Sequence, residues 1–195
     1  NRSKKSMSII LAVLMILSGF VPPFTALYAE DSLPQTSFFD DPLTIVETFD
    51  SASLTTSYAG GYFTGAGGVT WTYVRSRDQD IYPIDGKGIM LQRGSDSKLT
   101  SSPILTGVGS ISLQVRKAFT GGAERRVKVL INGQEVGKTQ VFGTTTVADP
   151  TIINLLITDI NIQGPAVIEI ALDYTDTTGR QVTIDNIAWT PYNGS

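Results

Sequence analysis

The chain has 195 residues, 41% of them hydrophobic and 17% charged, with a formal charge of −3 and neither histidine nor cysteine. A Ser-His-Asp triad, a cysteine nucleophile and a zinc, haem or iron–sulfur cluster held by His or Cys therefore cannot be built from it. Acid–base chemistry would fall to carboxylates, Lys or Tyr, and the apolar content suffices for one sizeable core in one domain or a little more.

The amino end reads as a targeting segment. Arg2, Lys4 and Lys5 form a basic start, Ile9 to Phe20 is an almost unbroken apolar run, and Ala26-Leu27-Tyr28-Ala29 precedes Glu30. This is the layout of a secretory signal peptide over residues 1–29. The run is 12 residues long, short of the ~20 that a spanning helix needs, so cleavage is expected and no membrane span remains after it. Loss of the segment leaves 12 basic against 18 acidic residues, a charge near −6. Such a chain is soluble and, taken whole, repels nucleic acid and anionic membranes. An exported domain without disulfides must rely on a large core or a bound ion.

Residues 30–42 are a polar, proline-punctuated lead-in. After it, short runs rich in Val, Ile, Thr and aromatics alternate with Gly, Asn, Asp and Pro, and no helical period persists beyond two turns. Strands are expected at Leu43–Phe49, Val69–Val74, Gly88–Gln92, Lys98–Ser101, Ser110–Phe119 and Arg126–Ile131. Asn132-Gly133 then carries a type I′ hairpin signal into Glu135–Val141. Thr151–Ile157, nearly all apolar, reads as a strand buried on both faces. Ala166–Tyr174 and Gln181–Trp189 complete the set. Nine or ten strands at this spacing point to an all-β antiparallel sandwich, a jelly roll, over residues 43–191. The glycine-rich stretch from Ala59 to Gly68 reads as flexible turns, since the lysine and following helix of a phosphate loop are missing. Residues 192–195 read as the start of a linker toward further domains.

Several segments carry a resemblance when taken in order. They are Glu47-Thr48-Phe49-Asp50, Gly60-Gly61-Tyr62-Phe63-Thr64-Gly65 before Gly68-Val69-Thr70-Trp71, Gly86 to Leu91, Ser97 to Ser101, Val115 to Gly121, Asn132-Gly133 and Val182 to Trp189. Together the chain resembles the carbohydrate-binding-module-like jelly-roll domain of secreted bacterial multidomain proteins, some of which carry an endonuclease or phosphatase domain. The resemblance implies a non-catalytic module, secreted or at the bacterial cell surface, with a polysaccharide or cell-surface glycan as partner and a catalytic domain covalently linked beside it. A nucleic-acid partner is not expected.

Two constellations stand out. Glu47 and Asp50 end the first strand and Asp185-Asn186 sit in the last; first and last strands of a jelly roll lie together, so these oxygens could converge. Calcium takes six to eight hard oxygen ligands, and the resemblance implies a structural calcium in this neighbourhood. The alternative is that Asp185 and Asn186 bond backbone at a strand kink while Glu47 is surface. The second constellation is aromatic and basic: Trp71, Tyr73, Arg75, Arg77, Tyr82 and Arg93, where rings stack on sugar faces and guanidiniums bond hydroxyls. Alternation with Val69 places Trp71 more readily in the core, whereas Tyr73 and the others read as exposed. Arg116, Lys117, Arg125, Arg126 and Lys128 form a basic run that strand alternation assigns to a solvent face. Three functions compete: a glycan-binding or adhesion module, an accessory domain that positions a nuclease or phosphatase on nucleic acid, and a carboxylate-only polysaccharide-degrading enzyme.

Overall fold

The computed structural model describes residues 43–94, 96–174 and 179–194. The expected signal helix and lead-in lie outside the described residues. Among those described, no helix is long and apolar enough to cross a membrane.

Eleven antiparallel strands follow one another: β1 (Ile45–Glu47), β2 (Ala59–Thr64), β3 (Thr70–Gln79), β4 (Gly88–Leu91), β5 (Lys98–Ser101), β6 (Ser110–Lys117), β7 (Val127–Ile131), β8 (Gln134–Lys138), β9 (Ile152–Ile157), β10 (Ile168–Leu172) and β11 (Val182–Thr190). Their hydrogen-bonded order is β8-β7-β10-β5-β3-β4-β11-β6-β9, with β2 added to β3 and β1 added to β11. The path folds into two layers because β3 serves both. Its first half, Trp71–Val74, pairs with β5, and its second half, Ser76–Gln79, pairs with β4. Arg75 sits between them with φ 48°, and this left-handed residue turns the strand from one layer to the other. Sheet one is thus β8-β7-β10-β5-β3 with β2; sheet two is β4-β11-β6-β9 with β1. This is the expected antiparallel jelly-roll sandwich.

Alternation supplies the core. Ile111, Leu113 and Val115 of β6, Val127, Val129 and Ile131 of β7, and Ile168, Ile170 and Leu172 of β10 all point between the layers and are buried. Trp71 of sheet one meets Trp189 of sheet two edge to face, centroids 6.0 Å apart, a pairing worth about 0.5–1.5 kcal/mol beyond the area it buries. The apolar phase of the last strand shifts by one between Ile184 and Ile187. A bulge between Asp185 and Ala188 causes this, with Asn186 at φ 49°, so Asn186 is extruded and both flanking runs face the core.

Three expectations change. The glycine-rich stretch is largely strand β2, because Gly61 lies under the Tyr73 ring: a side-chain carbon there would come within 2.5 Å of the Tyr73 hydroxyl oxygen. The Ile152–Ile157 run is an edge strand with alternating exposure, not one buried on both faces; Ile152 is 39% and Leu156 47% exposed. Lys117 and Arg125 are buried, not part of a solvent face. The Asn132-Gly133 turn is present as read, with φ of 51° and 81°, the doubly left-handed geometry of a type I′ hairpin.

Candidate functional site

The outer face of sheet two is built in rows. Register aligns Arg77, Met90, Thr183, Arg116 and Ile152 across β3, β4, β11, β6 and β9. The next row holds Asp185, Gln114 and Asn154; the third holds Val46, Ala188, Ser112 and Leu156. The connection between β3 and β4 folds back over this face. The Asp85 N–H donates to Asp185 Oδ2 at 3.1 Å, and Arg116 donates to the Pro83 carbonyl. Met90, Thr183 and Asp185 of this face are fully buried. The connection therefore divides the face into two parts.

On one side lies an open hollow of about 420 Å3, lined by Val46, Ile84, Asp85, Gln114, Ile152 and Asn186. A chain of side-chain amides crosses three strands, with Asn186 and Gln114 in the hollow and Asn154 in a recess beside it. Asn186 Nδ2 donates to Gln114 Oε1 at 2.7 Å, and Gln114 Nε2 donates to Asn154 Oδ1 at 2.9 Å. Each amide thereby holds its neighbour's orientation and keeps further donors and acceptors for a guest. The bulge on β11 aims Asn186 at Gln114. This recess, of about 30 Å3, adjoins the hollow beside Leu156.

On the other side is an aromatic and basic cluster. Tyr58 donates its hydroxyl to Met90 Sδ at 2.9 Å, and the Arg77 guanidinium lies 5.5 Å from the Tyr58 ring centre. Burial pushes the Tyr58 hydroxyl above its usual pKa, while Arg77 and Arg93 pull it down. Tyr82 packs against Phe119, centroids 5.0 Å apart. Arg77, Tyr82 and Arg93 of the sequence constellation are thus gathered here, around Tyr58.

The rest of that constellation is elsewhere. Trp71 is core, with no exposure. Tyr73 was expected at the surface and is 3% exposed, since it shares the inward phase of Trp71. Arg75 occupies the corner of β3, where Nη1 pairs with Asp96 Oδ2 at 2.6 Å and Nε donates to Gln92 Oε1 at 2.8 Å. Tyr58, Phe119, Gln114 and Asn154 escaped the sequence reading. For Gln114 and Asn154 a signal existed, as both are outward residues of neighbouring strands.

Of the four residues expected to hold calcium, Glu47, Asp50 and Asp185 accept from backbone N–H groups, and Asn186 donates its Nδ2 to Gln114. Glu47 is buried and accepts from the Phe49 N–H at 2.7 Å and the Ala66 N–H at 2.8 Å. Asp50 Oδ1 accepts from the Lys87 N–H at 2.9 Å. Asp185 accepts from Asp85 with Oδ2 and from the Asn186 N–H with Oδ1 at 2.7 Å. Among the described residues no group of three or more His, Cys, Asp or Glu side chains is assembled for a metal. Glu47 and Asp185 pair with backbone N–H groups through both oxygens, and the structure does not gather them with Asp50 into one carboxylate cluster. First and last strands do lie together, Glu47 opposite Ile187, but the carboxylates fasten loops.

Burial, reinforced by the nearby Asp50 and Asp85 carboxylates, pushes Asp185 up to about 7 against the pull of its two N–H donors. That value suits a general acid. Asp185 has no exposed surface and both its oxygens are taken, so it has no path to a glycosidic oxygen.

At the loop end of the sandwich, next to the aromatic cluster, Arg125 is completely buried. Six backbone carbonyls accept from it: Gln181 (3.0 Å), Gly121 (3.0 Å), Ala123 (2.8 Å), Gly143 (2.8 Å), Ala118 (3.0 Å) and Gly179 (3.4 Å). Lys117, equally buried, donates to the carbonyls of Thr145 and Val147. Burial and the charge of Arg125 lower the Lys117 pKa. Three connections, β6–β7, β8–β9 and β10–β11, are tied to these two cations.

No family model matches the chain, and no curated protein matches it. Solved structures do. A carbohydrate-binding module of family CBM36, in complex with calcium and xylotriose, is 24% identical over 59% of this chain and 87% of its own, with a TM-score of 0.42. The CBM36-1 domain of a multidomain xylanase from the hindgut metagenome of Trinervitermes trinervoides is 16% identical over 78% of this chain and 98% of its own, at 0.43. A family 43 arabinoxylan arabinofuranohydrolase from Bacillus subtilis, in complex with cellotetraose, is 13% identical over 71% of this chain and 28% of its own, at 0.46.

Proposed function

We propose that this domain is a non-catalytic carbohydrate-binding module that receives a polysaccharide on the outer face of sheet two. The observation that carries this is the amide chain Asn186–Gln114–Asn154, which runs from the open hollow into the recess beside Leu156. Sugar recognition needs fixed donors and acceptors for hydroxyls beside apolar surface for ring faces. The hollow offers amides flanked by Ile84, Ile152 and Val46, and the adjoining cluster offers tyrosine rings. The similar carbohydrate-binding modules agree in kind with this reading, and the signal-like residues 1–29 support a place outside a bacterial cell. A covalently linked catalytic domain would fit the same role. Calcium enters no step of this reading.

The test is calorimetric titration of the chain with xylo- and cello-oligosaccharides, repeated with Gln114→Ala and Asn154→Ala. Binding weakened about tenfold or more by either change is expected from loss of a hydrogen-bond partner to the sugar. Binding indifferent to both changes would move the site elsewhere.

A further inference from the structure

The two parts of the sheet-two face differ in charge. The hollow is lined by neutral amides with Asp85 at its rim. The aromatic cluster carries Arg77 and Arg93, and among the described residues neither forms an ion pair, whereas Arg75 pairs with Asp96 and Lys87 with Asp78. Arg77 spends one contact on the Tyr58 ring and one weak bond, 3.4 Å, on the Asp78 carbonyl. Arg93 is exposed. Arg125 and Lys117 lie behind them. Arg125 bonds the carbonyls of Gln181 and Ala118, and these residues adjoin the cluster: the Gln181 side chain bonds Tyr58, and Phe119 stacks on Tyr82. Carbonyl dipoles solvate the two buried cations without cancelling their charge. Asp149 offsets them only through space. Arg77 and Arg93 both act on Tyr58 through their charge, so this patch is locally positive on a chain that is acidic overall.

We propose that the Tyr58–Arg77–Tyr82–Arg93 cluster takes an acidic sugar, a pyranose ring bearing a carboxylate or a sulfate ester. This rests on the carbohydrate-binding reading and specifies the ligand class at its arginine side. The ring packs on Tyr82 and Phe119, and the anion meets the guanidiniums, whose planar forks match a carboxylate or sulfate in two hydrogen bonds. A neutral sugar would use the rings and leave both guanidiniums without a counter-charge. Single-stranded nucleic acid also combines rings with anions. It needs a positive track along several phosphates, and this cluster is one ring wide on a domain of opposite net charge.

The full chain is titrated by calorimetry with trigalacturonate, a sulfated oligosaccharide, xylotriose and a short single-stranded oligodeoxynucleotide, at low and high salt. Arg77→Gln and Arg93→Gln are tested beside the parent, with thermal melts to confirm folding; Arg93 is exposed, so its variant keeps the test alive if Arg77→Gln unfolds. One acidic oligosaccharide should bind at least about tenfold more tightly than xylotriose. That margin should shrink with salt, and each Arg→Gln change should remove most of it. The acidic arm that binds identifies the anion. Equal binding of xylotriose and both acidic sugars overturns the inference and leaves the carbohydrate reading standing. Preference for the oligodeoxynucleotide, or binding of no sugar at all, overturns both.

Discussion

The outer faces of the two sheets are made from the same alternating strands yet end in opposite states. On sheet one, Lys98 pairs with Glu169 at 2.7 Å, and Asp173 is ringed by Arg126, Lys138 and Lys128 at 3.3, 3.4 and 3.5 Å. Its charges are answered within the face. On sheet two, the amide chain ends on groups that can bond outward, and Arg77 and Arg93 lack carboxylate partners among the described residues. A sheet face whose polar groups satisfy each other offers a ligand little that water does not already provide. A face held open by a bulge and a folded-back loop keeps its bonding capacity for something else.

The largest effect should come from what fastens the loops beside both faces. Arg125→Ala would take a donor from six carbonyls, those of Gly143 and Ala118 in buried bonds, and should cost about 3–5 kcal/mol, read by urea denaturation. A loss below about 1 kcal/mol would mean those loops hold together without it.

The next effect is a pH dependence seated on sheet two. The Asp185 pKa is about 7, raised from 3.8. The folded state therefore holds this proton more tightly than the unfolded chain. Its contribution is complete below about pH 4 and is lost as pH rises through about 7, a swing of a few kcal/mol. Asp96, Asp149 and Asp173 are shifted downward and act in the opposite sense, losing stability only as pH falls below the usual carboxylate range. Melts from pH 4 to 8 should show the decline, and Asp185→Asn should flatten it. An unchanged slope in that variant would place the titrating group elsewhere.

The comparison is sharpened by paired substitutions on the two faces. Asn154→Ala on sheet two should weaken oligosaccharide binding about tenfold, and Lys128→Ala on sheet one should leave it unaltered. Equal losses would erase the distinction. Lys98→Ala should be smaller still, under about 1 kcal/mol of stability, because a half-exposed ion pair is screened and entropically costly. Adding calcium to a chelator-treated sample should leave the melting temperature where it was. A rise of several degrees would reinstate the Glu47, Asp50, Asp185 and Asn186 set.

The sandwich was legible because alternation is enforced wherever one face must be dry. Ser110–Lys117 and Val127–Ile131 show the period directly, and Asn132-Gly133 names its turn. Thr151–Ile157 misled because apolar residues on the outward side of an edge strand look the same in sequence as residues of a central strand. The site was only half readable. Arg77, Tyr82 and Arg93 stood in one stretch, but Tyr58 reaches them only through the pairing of β2 with β3. Tyr73 and Arg77 share a phase by spacing, and the corner at Arg75 resets it, sending Tyr73 to the core and Arg77 to the outer face. Glu47 and Asp185 have the composition of metal ligands, and nothing local says that backbone N–H groups will claim their oxygens. Arg125 reads like any strand-edge cation until its own connection and two distant loops bring their carbonyls to it.

The pairing of β1 with β11 sets Ile45 opposite Trp189, so the polypeptide enters and leaves the sandwich at neighbouring points. Tension applied across those points would not shear the two strands past one another. It would unzip them, opening Ile45–Trp189, Val46–Ala188 and Glu47–Ile187 in turn, and the domain would yield at that seam well before its hydrophobic interior felt the pull.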